Sequence, residues 1–390
     1  MNSTKLSKIN TYLIYGLVYI FFASTLFLLL AQHFAVPGGE YYSDNPTHLQ
    51  FVLQNSDNTY SLYHLIVSNI WKLLNNISFV NIFVSILALS ANLLTFLYTY
   101  NFIKKRSNGS LTQNKALLLT LALFLVSAII IDFSPNARWY LGQCTPNPWN
   151  IITYALQRPF STLAFTLLAD VNDLLKEGKN FTKELVFFSI ALTLSASLKP
   201  SFYFVFMPGA FVFFLIKLIV SKFKIFKQCF LLGLSVVPAG LVLIYQNFVL
   251  FASTGENKIA ISLSGELWTT YAIHNCVPLS ILLGLAFPIF VTIVYIRKLD
   301  DAYKIALSTC IISILQAYYV IEEGPRYSHA NFFWGYYCGM SLMFLVSSFT
   351  FFTNKPKNML IRIVGYLFFF AHLICGIMYY LKILNGGSYY

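Results

Sequence analysis

Residues 12–31 of this chain read YLIYGLVYIFFASTLFLLLA. The run carries no charged side chain and is about 20 residues long, the length that an α-helix needs to cross the hydrocarbon core of a bilayer. Lys5 and Lys8 precede it, and no small-residue cleavage site of the A-x-A kind follows it. We therefore expect a retained first transmembrane helix rather than a cleaved signal peptide.

The composition of the whole chain extends this interpretation. Hydrophobic residues make up 57% of the 390 residues and charged residues only 10%, whereas soluble domains carry about 25% charged residues. The formal net charge is +12, but the basic residues lie in short loops between apolar runs, which is typical of topology determinants. We therefore expect a polytopic membrane protein, with membrane lipid and no nucleic acid among its partners.

Apolar runs of spanning length recur along the chain and predict the fold class. With the N-terminus inside, most of the 26 Lys and Arg fall in the inner loops, as the positive-inside rule requires. The sequence predicts an all-α, polytopic transmembrane helical bundle of about 11 spans, a single domain over residues 1–390, with the C-terminus outside. The predicted spans are 12–31, 79–103, 116–133, 150–170, 185–198, 202–220, 229–252, 278–296, 305–321, 331–352 and 359–381.

The first outer loop, at about 32–78, has helical patterns of its own. Asp44 or Asn45 suits a helix cap and Pro46 suits the first helical turn. The stretch 60–74 repeats apolar residues at helical spacing. We expect interfacial helices in this loop.

The same loop carries the first candidate catalytic residues: Asp44, with His48 four residues later and Glu40 four residues earlier. A spacing of four places Asp44 and His48 on one face of a helix. Asp and Glu together number only 14, and a carboxylate here could accept the proton of an attacking hydroxyl. The alternative is that Asp44 only caps the helix.

Two further candidates are Asp132 at the outer end of the third span and Arg158 within the fourth. An acid beside hydrocarbon is costly and is usually paired, so the two predict either a structural ion pair or a substrate site. A guanidinium also matches phosphate geometry, so Arg158 could bind a lipid phosphate.

The loop between the ninth and tenth spans gathers Glu322, Glu323, Arg326 and His329 within eight residues. They form either a substrate-binding site or an ordinary solvated loop. Lys199, between the fifth and sixth spans, is either a snorkelling residue or a contact to a lipid-linked phosphate. The loop before the eighth span could shape a groove for an acceptor, with the residues Glu256, Lys258, Glu266 and Trp268.

Metal and redox signals are weak in this sequence. No CxxC spacing occurs among the six cysteines, so Cys144 and Cys276 are either a disulfide of the outer loops or two free thiols. The adjacent Asp300 and Asp301 lie beside basic residues, which favours a solvated charge cluster. We predict no cofactor and no metal ligand, although a divalent metal remains possible.

Taken together, the early acids Glu40 and Asp44, the helices of the first outer loop, the many spans and the polar outer loops resemble the GT-C superfamily of integral-membrane glycosyltransferases. Further short segments resemble parts of uncharacterised bacterial proteins of this type. These segments are Thr145–Asn150, Arg158–Phe160, Lys199–Phe202 and Gly324–His329.

The resemblance implies a function and a location. The donor would be a sugar linked to polyprenyl phosphate, and the acceptor an envelope glycan or a lipid-linked molecule. Asp44, with Glu40 as second choice, would be the base or acceptor-orienting group, on the outer or periplasmic face of a bacterial cytoplasmic membrane. Three alternatives stay open: an envelope polysaccharide polymerase or ligase, a lipid-linked sugar transporter or flippase, and a membrane acyltransferase using His33.

Overall fold

The protein folds as an all-α bundle. The structure, a computed structural model, describes residues 3–54, 60–134, 137–251 and 258–388, and within them fourteen α-helices and two short strands. The helices of the first half are α1 Ser3–Phe34, α2 Asp44–Gln54, α3 Leu62–Leu74, α4 Ile77–Arg106, α5 Gln113–Leu125, α6 Ile152–Lys176 and α7 Thr182–Leu198. Those of the second half are α8 Ser201–Val220, α9 Phe226–Phe251, α10 Glu266–Tyr271, α11 Val277–Tyr295, α12 Asp301–Tyr319, α13 Phe333–Thr353 and α14 Met359–Leu384.

Each of the eleven apolar runs in the sequence contains a helix. Among the described residues, seven helices are long and apolar enough to cross a membrane, namely α1, α4, α8, α9, α11, α13 and α14. The all-α class is therefore confirmed, with the architecture of a multi-pass membrane protein. The helices expected in the first loop are also present, as α2 and α3.

The third apolar run is only partly helical, which corrects the predicted helix over 116–133. Helix α5 ends at Leu125, and Val126 begins an extended segment that is largely buried up to Ile130. Its backbone groups are paired from outside the segment: Ile129 N donates to Leu283 O at 2.9 Å, and Asn147 Nδ2 donates to Val126 O at 2.9 Å. Non-helical backbone is tolerated in such a bundle only where protein supplies these partners.

His372 on α14 joins this segment to a second irregular point, the kink at Leu285 in α11. The His372 Nδ1 lies 2.7 Å from Ser127 O, and Phe287 N donates to Nε2 at 3.3 Å. A carbonyl only accepts and an amide only donates, so Nδ1 carries the proton of a neutral ring. His372 is completely buried, and this one side chain pairs backbone groups of two broken elements.

Loop segments from different parts of the chain contact one another at each of the two ends of the bundle. At the Asp44 end, Asp44 N donates to Asn150 O and Tyr271 Oη donates to Ser328 O. Strand β1 (Lys258–Ile261) also pairs antiparallel with β2 (Val320–Glu323) there, a two-stranded element that the sequence did not predict. The segments that meet at this end are those predicted as outer loops.

The opposite, or Asp301, end joins segments predicted as inner loops. Arg106 Nη2 lies 2.7 Å from Asp173 Oδ2, and Lys176 Nζ lies 2.7 Å from Asp301 Oδ2. Asp300 caps α12 by accepting from Tyr303 N at 2.7 Å. The solvated cluster predicted for Asp300 and Asp301 is thus an ordered cap and an ion-pair network.

Candidate functional site

Asp44 occupies the first turn of α2. The residue before it caps the helix, because Ser43 Oγ accepts the amide of Asn45 at 3.3 Å. The Asp44 carboxylate instead accepts a hydrogen bond from Asn150 Nδ2 at 3.0 Å, while its own amide donates to Asn150 O at 3.1 Å. The segment before α6 therefore holds the Asp44 carboxylate in place through Asn150, and a catalytic role for Asp44 stays a prediction.

Lys199 lies between α7 and α8 at the same end of the bundle. It is half-buried, and burial lowers its pKa to about 8; the charge of Arg326 lowers it further, whereas Asp44 and Glu322 raise it. These charges are therefore close to the ammonium, although Asp44, Lys199 and the pair Glu322 and Arg326 come from three separate parts of the chain. At neutral pH Lys199 stays mostly protonated.

His48 lies one turn beyond Asp44 on α2. Burial lowers its pKa to about 3, and the charges of Lys199 and His64 act in the same direction. His48 is therefore neutral at physiological pH and a poor proton acceptor. The carboxylate of Asp44 is the other candidate base on α2.

Successive side chains of a strand point to opposite faces, so Glu322 and Glu323 on β2 face in different directions. Glu322 is 7% exposed and accepts from Asn331 Nδ2 at 2.5 Å, with Arg326 Nη2 at 3.5 Å from its other oxygen. Glu323 is exposed and lies opposite Lys258 in the ladder. Only Glu322 therefore faces the charges around Lys199.

We call Asp44, His48, Lys199, Glu322 and Arg326 the Asp44 cluster. Aromatic rings adjoin it. The Lys199 ammonium lies 4.7 Å from the centre of the Trp334 ring, a cation–π contact. Aromatic faces beside a charged cleft offer stacking surfaces to a sugar or a lipid chain.

A second group of rings comes from the first loop and also adjoins the cluster. The rings of Tyr60 and His64 are 4.2 Å apart. Burial raises the pKa of Tyr60 to about 12, and the charge of Arg326 lowers it. His64 Nδ1 and Ser61 Oγ are joined by a hydrogen bond of 2.6 Å. Burial lowers the pKa of His64 to about 4.

Three of the predicted site residues have other surroundings. Glu40 is exposed and lies beside Gly386 at the end of α14. Asp132 accepts from the amide of Ser134 at 2.9 Å. His329 is exposed in a short 3-10 turn after Arg326. Glu256 lies outside the described residues.

The predicted ion pair between Arg158 and Asp132 does not form. Arg158 lies inside α6, 7% exposed, and its Nη2 donates to Asn147 Oδ1 at 2.7 Å. The Phe124 ring centre lies 4.8 Å from its Cζ. The pairing fails because Asp132 follows the end of α5 on an exposed segment, whereas Arg158 points into the bundle.

The remaining candidates have structural roles. Trp268, suggested for an acceptor groove, is buried and donates from Nε1 to Gly142 O at 2.7 Å. Cys144 and Cys276 are free thiols. No group of three or more His, Cys, Asp or Glu side chains suited to a metal occurs within the described parts of the chain. His33, the acyltransferase candidate, is buried with Nδ1 at 2.8 Å from Leu29 O.

Sequence reasoning missed Asn150, Trp334 and His64 as members of this site. Asn150 precedes α6 and Trp334 is the second residue of α13, so each lies where a helix meets a polar loop. That position is the only signal that could have drawn attention to them. Their proximity to Asp44 depends on how distant helices pack.

Comparisons of the chain with protein-family models, with curated proteins and with solved structures find no significant match. The fold and the site therefore define the class of protein by themselves. It is an all-α, multi-pass membrane protein with a mixed-charge cluster at one end of the bundle.

Proposed function

We propose that this protein is a GT-C-type membrane glycosyltransferase. It moves a sugar from a polyprenyl-phosphate-linked donor to an envelope glycan or lipid-linked acceptor on the outer face of the membrane. The observation that carries the proposal is that Asp44 and Arg326, from two other segments of the chain, lie close enough to Lys199 for their charges to shift its pKa. A carboxylate beside two cations suits hydroxyl attack at a carbon whose leaving group is a phosphate.

In the proposed step, Asp44 takes the proton of an acceptor hydroxyl or orients that hydroxyl. The acceptor oxygen bonds to the anomeric carbon, and the bond between that carbon and the lipid phosphate breaks. The electron pair leaves with the phosphate, whose charge Lys199 and Arg326 neutralise. Asn150 orients Asp44 through the 3.0 Å hydrogen bond, and His48 stays neutral because its pKa is about 3.

Donor affinity would come mainly from the lipid. Each methylene of the polyprenyl chain that leaves water contributes about 0.8 kcal/mol, and exposed apolar helix faces such as that of α9 are available for it. The Trp334 ring, next to the Lys199 ammonium, offers the sugar a flat apolar surface.

The proposed topology has eleven spans in a bacterial cell membrane, with the N-terminus inside and the Asp44 end facing outside or the periplasm. Helices α5, α6, α7 and α12 would cross the membrane in addition to the seven long ones. Labelling with a membrane-impermeant maleimide tests this, with cysteine introduced as Ser388→Cys or Lys224→Cys after replacement of Cys229 and Cys276. Ser388→Cys should label in intact cells, and Lys224→Cys only after permeabilisation; the reverse pattern would invert the topology.

A lipid-linked sugar flippase is the second candidate. The broken helix after Leu125, the kink at Leu285 and the buried charge of Arg158 favour it, because transporters build their sites from discontinuous helices and buried polar groups. For the polymerase or ligase alternative, which would use Arg326 with His329, the exposure of His329 offers less support.

The experiment measures lipid-linked sugars by mass spectrometry in a deletion strain and in the same strain carrying the gene. A transferase deletion should accumulate the intact donor, accessible from outside to an impermeant oxidant of sugar diols. Accumulation of a donor protected from that oxidant would favour the flippase. An unchanged lipid pool would reject both, and shortened glycan chains at a normal donor level would favour the polymerase.

A further inference from the structure

Arg158 is a buried cation with little visible compensation. It lies within α6 and is 7% exposed. Its hydrogen bond runs to a neutral atom, Asn147 Oδ1, and its Nε is buried without a hydrogen-bond partner. The faces of Phe124 and Tyr154 lie 4.8 and 5.9 Å from its Cζ. No carboxylate in the described part of the chain lies within ion-pair distance.

Arg106 is another poorly exposed guanidinium, and its charge is compensated by two carboxylates. Arg106 forms ion pairs with Asp173 at 2.7 Å and with Asp170 at 3.5 Å. Burial of a charge is strongly unfavourable unless an opposite charge or strong hydrogen bonds compensate it. A single amide oxygen and two ring faces are weak compensation for Arg158.

A small cavity adjoins this guanidinium. Its volume is about 20 Å³, enough for one water-sized or monatomic occupant. Four hydroxyl-bearing residues line it together with Arg158 and Phe124: Thr95, Thr99, Thr162 and Ser341. Hydroxyl and guanidinium N–H groups are hydrogen-bond donors, the chemistry that a small anion requires.

We propose that Arg158 and the hydroxyls around it bind one monovalent, monatomic anion of the halide type, with chloride as the probe. A volume of about 20 Å³ suits a monatomic anion better than the lipid phosphate suggested by the sequence, which has four oxygens. The Thr95 hydroxyl already donates to Ala91 O at 2.8 Å. The donors that remain candidates are the Arg158 guanidinium and the hydroxyls of Thr99, Thr162 and Ser341.

The site is independent of the proposed transfer reaction, and its test needs no activity assay. Purified protein in detergent is unfolded thermally in sodium chloride and in sodium gluconate at equal ionic strength. The midpoint should rise with chloride along a saturating curve, as expected for a ligand that binds only the folded state. Bromide should replace chloride and give an anomalous diffraction peak beside the Arg158 guanidinium.

Single substitutions test whether chloride raises the unfolding midpoint by binding beside Arg158. Arg158→Met should abolish the chloride-dependent rise, and Thr162→Val, which keeps the side-chain shape, should raise the half-saturating chloride concentration about tenfold, the loss of one hydrogen bond to a charge. Arg326→Met, which removes a cation elsewhere, should respond like wild type. If Arg158→Met does not fold, Thr162→Val and the bromide peak still decide.

Two results would overturn the proposal. One is an equal midpoint in chloride and gluconate, which would make the occupant water. The other is a midpoint that depends on Arg158 and rises with inorganic phosphate or a short-chain alkyl phosphate but not with chloride, which would return Arg158 to the lipid phosphate.

Discussion

Replacing Lys199 by Met should stabilise the protein at neutral pH while removing its proposed activity. Burial lowers the Lys199 pKa from 10.5 to about 8, and this difference corresponds to about 3 kcal/mol against the protonated folded state. Methionine removes that cost but loses the contact with the Trp334 ring at 4.7 Å, worth about 0.5–2 kcal/mol. The net expected gain is about 1–3 kcal/mol.

The sign of the pH dependence follows from the same pKa values. Between pH 8 and 10.5 the unfolded chain binds more protons at Lys199 than the folded protein, so wild-type stability rises with pH through this window. Below pH 8 the full cost is present. The advantage of Lys199→Met should therefore shrink as the pH rises from 7 to 10.

Thermal unfolding in detergent at pH 7 and pH 10 measures both effects, with Lys224→Met as the matched control because Lys224 is exposed. The reasoning is refuted if Lys199→Met is less stable than wild type at pH 7, or if its difference from wild type is the same at pH 10. Activity measured on the same preparations should be lost in Lys199→Met and retained in Lys224→Met.

Three other variants test the packing and the cluster. Gly376→Ala should lower the free energy of unfolding by about 1–3 kcal/mol, because the new methyl group would collide with the Leu125 carbonyl at the end of α5. Gly16→Ala should not lower it, because the space around Gly16 is open. His372→Leu should cost about 2–6 kcal/mol in the same unfolding assay, since it orphans one carbonyl and one amide. Glu322→Gln should lower the transfer rate about tenfold through its weakened contact with Arg326, whereas Glu323→Gln should transfer at the wild-type rate.

Hydrophobic runs predicted much of the fold. Each predicted run contains a helix, since about 20 apolar residues have few other ways to satisfy their backbone groups in a membrane. The third run is helical only in its first part, because its helix ends at Leu125. That break depends on partners in α11 and α14, above all His372, and local apolar periodicity carries no information about them.

The site was predictable only in part. Local chemistry selected Asp44, Lys199, Glu322 and Arg326, because charged residues are scarce here and stand out at the helix ends. It could not separate Glu322 from its neighbour, because the sequence did not predict strand β2. It also paired Arg158 with Asp132, because spacing along a chain does not show which way a helix face points.

The most direct test of the proposed transfer reaction is the surface glycan of a deletion strain that carries the Asp44→Asn variant. Glu40→Gln is the matched control, because Glu40 lies in the same loop but beside the end of α14. Loss of a general base costs about 10²–10⁴ in rate. With both proteins at wild-type levels in the membrane, Asp44→Asn should reproduce the glycan of the deletion strain and Glu40→Gln that of the wild type. A wild-type glycan from Asp44→Asn would contradict the account.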